Sequence, residues 1–142
     1  MLVDANLLLY AVDESSSHHD AAAAWLESSL NGSRRVGLPW QTLAAFIRIS
    51  TNPRARERPL DPGAAVGFVH EWLDADMTWT PSGGPGYAGV FLGLIEKYQV
   101  RGNLISDAQL AALAIEHGLT VYSADTDFAR FTEVTWVDPV AG

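Results

Sequence analysis

Four aspartates stand where a chain could use them together. Asp4 follows the apolar opening "MLV", Asp107 sits in "ISDAQLAALAIEHG", and Asp125 and Asp127 lie in "TVYSADTDFARF". Taken singly, each has a plain structural role. Aspartate is a favoured N-cap and first-turn residue because its oxygens accept orphan helix N–H groups and suit the helix dipole. Asp4, Asp107 and Asp125 fit that description, and Asp127 fits a solvated side chain. Taken together they read differently, since converging carboxylates repel one another and raise each other's pKa. A fold tolerates such a cluster more readily around a hard cation. The chain has no cysteine and no histidine pair on one helix face, so oxygen-only ligation suits Mg²⁺ or Mn²⁺ rather than zinc. An ion of this kind activates water and stabilises the transition state of phosphodiester hydrolysis.

The elements that must position these acids can be traced along the sequence. Residues 1–3 read as a very short strand breaking at Asp4 into a helical turn. "SSHHDAAAAWLESSLNG" is an Ala-rich helix stopped at Asn31-Gly32. A strand is expected at 36–39, then a helix in "WQTLAAFIRIST" with Leu43, Phe46, Ile47 and Ser50 at helical spacing, ended by Asn52-Pro53. A further helix runs from Asp61 or Pro62 to Asp74, with Ala65, Phe68, Val69 and Trp72 on one face. A strand at 77–80, the loop "PSGGPG" and a helix over 87–100 follow. In "SDAQLAALAIEHG", Ser106 and Gln109 form an S-x-x-Q capping box and Gly118 supplies the stop. A strand at 119–123, a short helical turn and a strand near 134–137 complete the chain.

Short strands alternating with helices predict a three-layer α/β/α sandwich with a mostly parallel central sheet, in a single domain over residues 1–142. In such a sheet, functional groups gather where strands hand over to helices. Asp4 and Asp125 occupy handovers. The 18 residues from Asp107 to Asp125 fit a helix, a turn and a returning strand, which would bring the two acids together.

Composition restricts the setting. A chain of 142 residues with 48% hydrophobic and 18% charged residues can bury a core and is not a disordered segment. Lack of cysteine suits a reducing compartment, apolar stretches fall short of a membrane span, and no basic segment precedes Leu2. A soluble cytoplasmic protein is expected. The net charge of −8 runs against direct phosphate neutralisation. Either nucleic acid is excluded as a partner or cations mediate the contact.

"MLVDANLLLYA", "ISDAQLAALAIEHG" and "SADTDFARF", in this order and at this spacing, resemble the PIN-domain nucleases. The resemblance is closest to the VapC toxins of bacterial toxin–antitoxin pairs. Within these it points to an actinobacterial-looking branch with "GLPW" and "RISTNPR" in the middle, and it covers essentially the whole chain. It implies a metal-dependent endoribonuclease that acts on RNA, is held in check by a VapB-like antitoxin and works as a homodimer. By the same resemblance Asp4, Asp107 and Asp125 hold Mg²⁺, Asp127 is an accessory catalytic acid, Asn6 orients Asp4, and Ser123 hydrogen-bonds near the metal or the attacking water. The sequence departs from the pattern at one place. A glutamate usual on the helix after the second strand is replaced by Ala44 or Ala45, and no acid lies between Glu27 and Glu57. Asp13 and Glu14 are conceivable substitutes. The departure puts a second metal in doubt and keeps two other readings open, a silent RNA- or protein-binding module and a DNA-directed metal nuclease.

Other features have two readings each. Arg54, Arg56 and Arg58, with Arg48 on the preceding helix, could grip RNA phosphates beside the acids or form a solvated loop. His18 and His19 fit helix capping, and His70 and His117 the surface or core edge. Trp40 and Trp72 fall on apolar helix faces and are expected in the core, the alternative being a groove for an antitoxin helix. "PSGGPG" lacks the G-K-[ST] ending of a phosphate loop.

Overall fold

In the computed structural model, which describes residues 1–141, consecutive side chains of the first strand part to opposite faces of a sheet. β1 spans Leu2–Val3. Leu2 enters an apolar cluster with Ala111, Val121 and Phe128, whereas Val3 enters another with Leu7, Phe46 and Trp72. The two clusters are the two halves of the core, one on each side of the sheet. The chain continues through α1 (Ala5–Val12), α2 (His19–Leu30), β2 (Val36–Gly37), α3 (Trp40–Ser50), α4 (Pro62–Asp74) and β3 (Thr78–Trp79). Then come α5 (Tyr87–Tyr98), α6 (Leu104–His117), β4 (Val121–Tyr122), a 3₁₀ turn (Thr126–Arg130) and β5 (Trp136–Val137).

The five strands lie in the order β3-β2-β1-β4-β5, and every neighbouring pair is parallel. α1 to α4 pack on one face, α5, α6 and the 3₁₀ turn on the other. This is the α/β/α sandwich expected from the alternation of elements. From β1 the chain first winds outward through β2 and β3, then returns to place β4 on the opposite side of β1. The winding therefore reverses between β1 and β4, and their carboxyl ends open a crevice of the kind where open parallel sheets bind ligands. The register there sets Leu2 beside Val121 and Val3 beside Tyr122, so Asp4 stands next to Ser123.

α6 is the buried helix of the second layer, with Ala108, Leu110, Ala111, Ala112, Leu113 and Ala114 all inside. Its alanines carry little side-chain bulk, which lets it approach both the sheet and α5. It ends where Gly118 adopts a left-handed conformation (φ 67°), with the Leu119 N–H donating to the Ala114 carbonyl at 2.8 Å. Its start differs from the expected capping box. The helix begins at Leu104, two residues before Ser106, with Asn103 as N-cap and no side-chain capping bond. A tight turn through Gly102 (φ 57°) already supplies acceptors upstream, Arg101 O to Leu104 N and Gly102 O to Ile105 N. Ser106 is thus inside the first turn, and Asp107 is the acid of that turn.

Two other expectations are corrected. The His18 and His19 side chains cap nothing. The His19 ring meets the Tyr10 carbonyl at 3.1 Å, the His18 ring packs against Tyr10, and the turn before α2 is held by Ser15 and Ser16. Trp72 is buried in the core, but Trp40 is 61% exposed and belongs to neither cluster. Trp40 is the first residue of α3, ahead of the buried stripe of Leu43 and Phe46, so its ring projects beyond the layer those residues fill. No helix among the described residues is long and apolar enough to cross a membrane.

One side-chain bond ties the layer of α1 to α4 to the crevice. Thr42 is buried on the first turn of α3, and its hydroxyl donates to the Val3 carbonyl at 2.8 Å, one residue before Asp4. Thr42→Val preserves shape and removes this donor, so it is expected to lower stability by about 1 kcal/mol. Urea unfolding followed by circular dichroism reads this as a lower midpoint at unchanged slope.

Candidate metal centre

Three of the four aspartates meet at the mouth of the crevice. Asp107, Asp125 and Asp127 each offer one carboxylate oxygen, and the three oxygens lie within 4.8 Å of one another. α6 presents Asp107 from its first turn. Asp125 caps the 3₁₀ turn that follows β4, accepting from the Asp127 N–H at 2.9 Å, and Asp127 lies in the first turn it caps. No hydrogen bond to the Asp107 carboxylate is present among the described residues. Its pKa is pushed from 3.8 up to about 7, first by burial, then by the charges of Asp125, Asp4 and Asp127. Arg130 opposes this, but its guanidinium is 3.4 Å from Asp127 and exposed.

Asp4 stands beside this group and is held by the protein itself. Its Oδ1 accepts from the Ala5 N–H at 2.8 Å. Its Oδ2 accepts from the Ser123 hydroxyl at 2.7 Å and from Asn6 Nδ2 at 3.2 Å. Burial raises the Asp4 pKa, the bonds from Ser123 and Ala5 oppose the rise, and the Asp125 charge adds to it. Ser123 is the hub of the arrangement. Its Oγ also accepts from Asn6 Nδ2 at 3.0 Å and from the Asp125 N–H at 2.9 Å, while Asn6 Oδ1 takes the Ala124 N–H at 3.2 Å. Asn6 and Ser123 therefore orient Asp4 and carry its position to the Asp125 backbone.

These observations bear on whether a hard cation fits. The donors are all carboxylate oxygens, the set that Mg²⁺ and Mn²⁺ prefer. Opposite ligands of Mg²⁺ lie about 4 Å apart, close to the spread of the three oxygens, with waters completing the shell. A cation would also supply the positive charge that Asp107 lacks. The three converging oxygens are those of Asp107, Asp125 and Asp127. Asp4 reaches the cluster through its charge and keeps one lone pair, on Oδ1, for a ligand of its own.

The substitutes for the missing glutamate do not reach the site. α1 starts at Asp4, and Asp13 caps its far end, about 12 Å along the helix axis. Glu14 follows Asp13. Ala44 is exposed and Ala45 half-buried, and no further acid joins the group among the described residues. The arginine loop is displaced for the same reason. Arg56 pairs with Asp13 at 3.5 Å, so the segment holding Arg54, Arg56 and Arg58 lies at that distant end rather than beside the acids. Two contributors went unnoticed in the sequence. Arg130, three residues after Asp127, is legible as an i,i+3 pair; Trp136, whose Nε1 donates to the Ser123 carbonyl at 2.9 Å, has no local signal.

Residues 1–134 match the PIN domain family. The chain is 39% identical over 140 residues to Ribonuclease VapC33 of Mycobacterium tuberculosis, covering 99% of this chain and 98% of that protein. Among solved structures it is similar to VapC20 of Mycobacterium tuberculosis, described as a Sarcin-Ricin loop cleaving toxin, with a TM-score of 0.68 at 15% identity over 94% of this chain and 98% of that one. It also resembles a chain of the Rickettsia felis VapBC2 complex bound to a promoter DNA fragment, with a TM-score of 0.66 at 16% identity and 96% coverage of both. The fold, the order of its acids and these relatives lead to one assignment: the chain belongs to the PIN domain family, in its VapC branch.

Proposed function

We propose that the protein is a metal-dependent endoribonuclease, the toxin of a toxin–antitoxin pair, that hydrolyses RNA phosphodiester bonds at the Asp4–Asp107–Asp125–Asp127 crevice. The observation that carries the reading is the convergence of three carboxylates at the switch point of the sheet, one of them, Asp107, without a hydrogen-bond donor among the described residues. The relative named as a ribonuclease, matched nearly end to end, supports RNA as the substrate.

Asp107, Asp125 and Asp127, with Asp4 beside them, would hold Mg²⁺, or Mn²⁺ in its place. When bound, the cation supplies Lewis acidity toward a phosphoryl oxygen and a water of lowered pKa. The chain's own residues do the rest. Asp4 is locked by Ser123, Asn6 and the Ala5 N–H, so its charge does not swing away as substrate enters. Asp125 is fixed by donating its N–H to Ser123 and accepting from Asp127. A single cation suffices in this reading, since alanine stands where a further ligand would come. A VapB-like antitoxin and a homodimer complete the proposal. The VapBC complex among its structural neighbours supports the first.

The alanines at 44 and 45 favour one rival, a silent binding module of the same fold. Purified protein incubated with single-stranded RNA and Mg²⁺ separates the two. Cleavage that stops on adding EDTA is expected, and RNA left intact under these conditions would end the nuclease reading. A DNA strand of the same sequence, run in parallel, tests the DNA-directed alternative.

A further inference from the structure

We propose that the exposed face of α3, formed by Trp40, Ala44 and Arg48, is the track on which the RNA strand lies as it enters the acid crevice. In it the Trp40 indole stacks on a base next to the scissile phosphate and Arg48 meets a phosphate farther along. The inference rests on the nuclease reading above and names how that site takes hold of its substrate.

β2 lies directly beside β1 in parallel register, with Leu2 opposite Gly37, so the residues that follow Gly37 come level with Asp4 and Ala5. Trp40 opens α3 at that same edge, and the Thr42 hydroxyl bonded to the Val3 carbonyl holds this turn against the strand that carries Asp4. Trp40 is 61% exposed and belongs to neither core cluster. Ala44 and Arg48 follow at i+4 and i+8, so they share its face, and both are exposed. The stripe runs about 12 Å from Trp40 to Arg48.

Proteins that hold single strands combine aromatic platforms for bases with positive charge along the backbone. Residues 28–56 carry five arginines and no acid, in a chain whose net charge is −8. Arg34 and Arg35 precede β2 and Arg54 and Arg56 follow α3, so Arg48 is the cation on α3 itself, and α3 presents no acid to repel a polyanion that comes along it. Arg48 is committed to no ion pair among the described residues. Ala44 leaves the groove between the ring and the guanidinium shallow and uncharged.

The surroundings favour a base over a protein partner. Among the described residues the other large exposed apolar side chains, Val66, Leu92 and Val137, lie on α4, α5 and β5, so Trp40 is the one large apolar side chain exposed on α3. Its companions on the face are a methyl group and a cation.

Anisotropy of a labelled single-stranded RNA, measured in EDTA so that nothing is cleaved, tests the proposal directly. Trp40→Ala is expected to weaken binding about tenfold, as loss of one stacked base does, while Trp40→Phe stays within about threefold of wild type. Trp40→Leu should behave like the alanine variant. Arg48→Ala should weaken binding and reduce the salt slope by about 0.7, one phosphate contact on a single strand. In Mg²⁺ the same Trp40→Ala change should raise KM about tenfold with kcat within about threefold. Unchanged RNA binding by Trp40→Ala, or a leucine variant as good as phenylalanine, overturns the proposal. So does a Trp40→Ala protein that binds RNA normally but has lost a second copy of the chain. Wild type that binds RNA through Trp40 yet never cleaves it would end the nuclease reading and leave the track standing.

Discussion

Asp107→Asn is expected to reduce RNA cleavage by about a thousandfold, the scale of the several kcal/mol of charge stabilisation that a held cation contributes to such a transition state. Amide and carboxylate have nearly the same volume, so the fold should survive. The metal-free protein should even gain stability. The folded-state pKa of Asp107 is raised from 3.8 to about 7, so the native protein holds this proton more tightly than the unfolded chain does. Its contribution to stability is therefore fully present below about pH 4 and is lost as pH rises toward about 7. The asparagine variant has no such loss. Without metal, its melting temperature should exceed that of wild type above pH 7, and the two should converge near pH 4. Mg²⁺ should raise the melting temperature of wild type, because it binds the native state, and raise that of the variant much less. A variant that still cleaves RNA in Mg²⁺ at the wild-type rate would sink the assignment of Asp107, and identical melting curves at pH 8 would sink the account of its charge.

The contrast between these acids and the rest of the site shows what one sequence can reveal. Asp4, Asp107 and Asp125 were legible because strand-to-helix handovers leave local marks, an apolar run followed by a polar cap, and because the distance from Asp107 to Asp125 matches a helix and a returning strand. The sheet order was not legible. Nothing local says that β4 returns to lie beside β1, and it is this return that sets Asp4 next to Ser123. The place of Asp127 turned on a detail of the same kind. Its nearness to Asp107 follows from how the short helical turn after Asp125 is set against α6; "DTDFAR" marks the turn but not the side of it that meets α6. The two readings of the arginine loop, and the place of Asp13, turned on the direction of travel. α1 and α3 both lead away from the crevice, so whatever follows them ends on the distant side. Trp40 was misjudged because helical periodicity marks a face without saying where the covering layer stops, and a residue in the first turn can overhang it.

Ser123→Ala should be the most damaging change that touches no acid. The serine is fully buried, and its single hydroxyl makes three bonds, donating to Asp4 and accepting from Asn6 and from the Asp125 backbone. A hydroxyl has one proton and two lone pairs, so its capacity is used in full. Alanine leaves the Asp125 N–H without its acceptor and Asp4 without its shortest donor, at a cost of about 1–3 kcal/mol for buried groups left unpaired. The Asp4 pKa, already raised by burial, should climb further once the Ser123 bond that opposes the rise is gone. Cleavage is expected to fall about 10- to 100-fold, the range seen when the residue orienting a metal ligand is removed. Asn6→Ala should act on the same carboxylate from its other side-chain donor. If the two side chains work through Asp4, the double variant should lose less than the product of the single losses, whereas independent roles would multiply. Wild-type cleavage by Ser123→Ala would mean that Asp4 needs no help to hold its place. In that case burial among β1, α1 and β4 alone would have to keep the carboxylate turned toward Asp107.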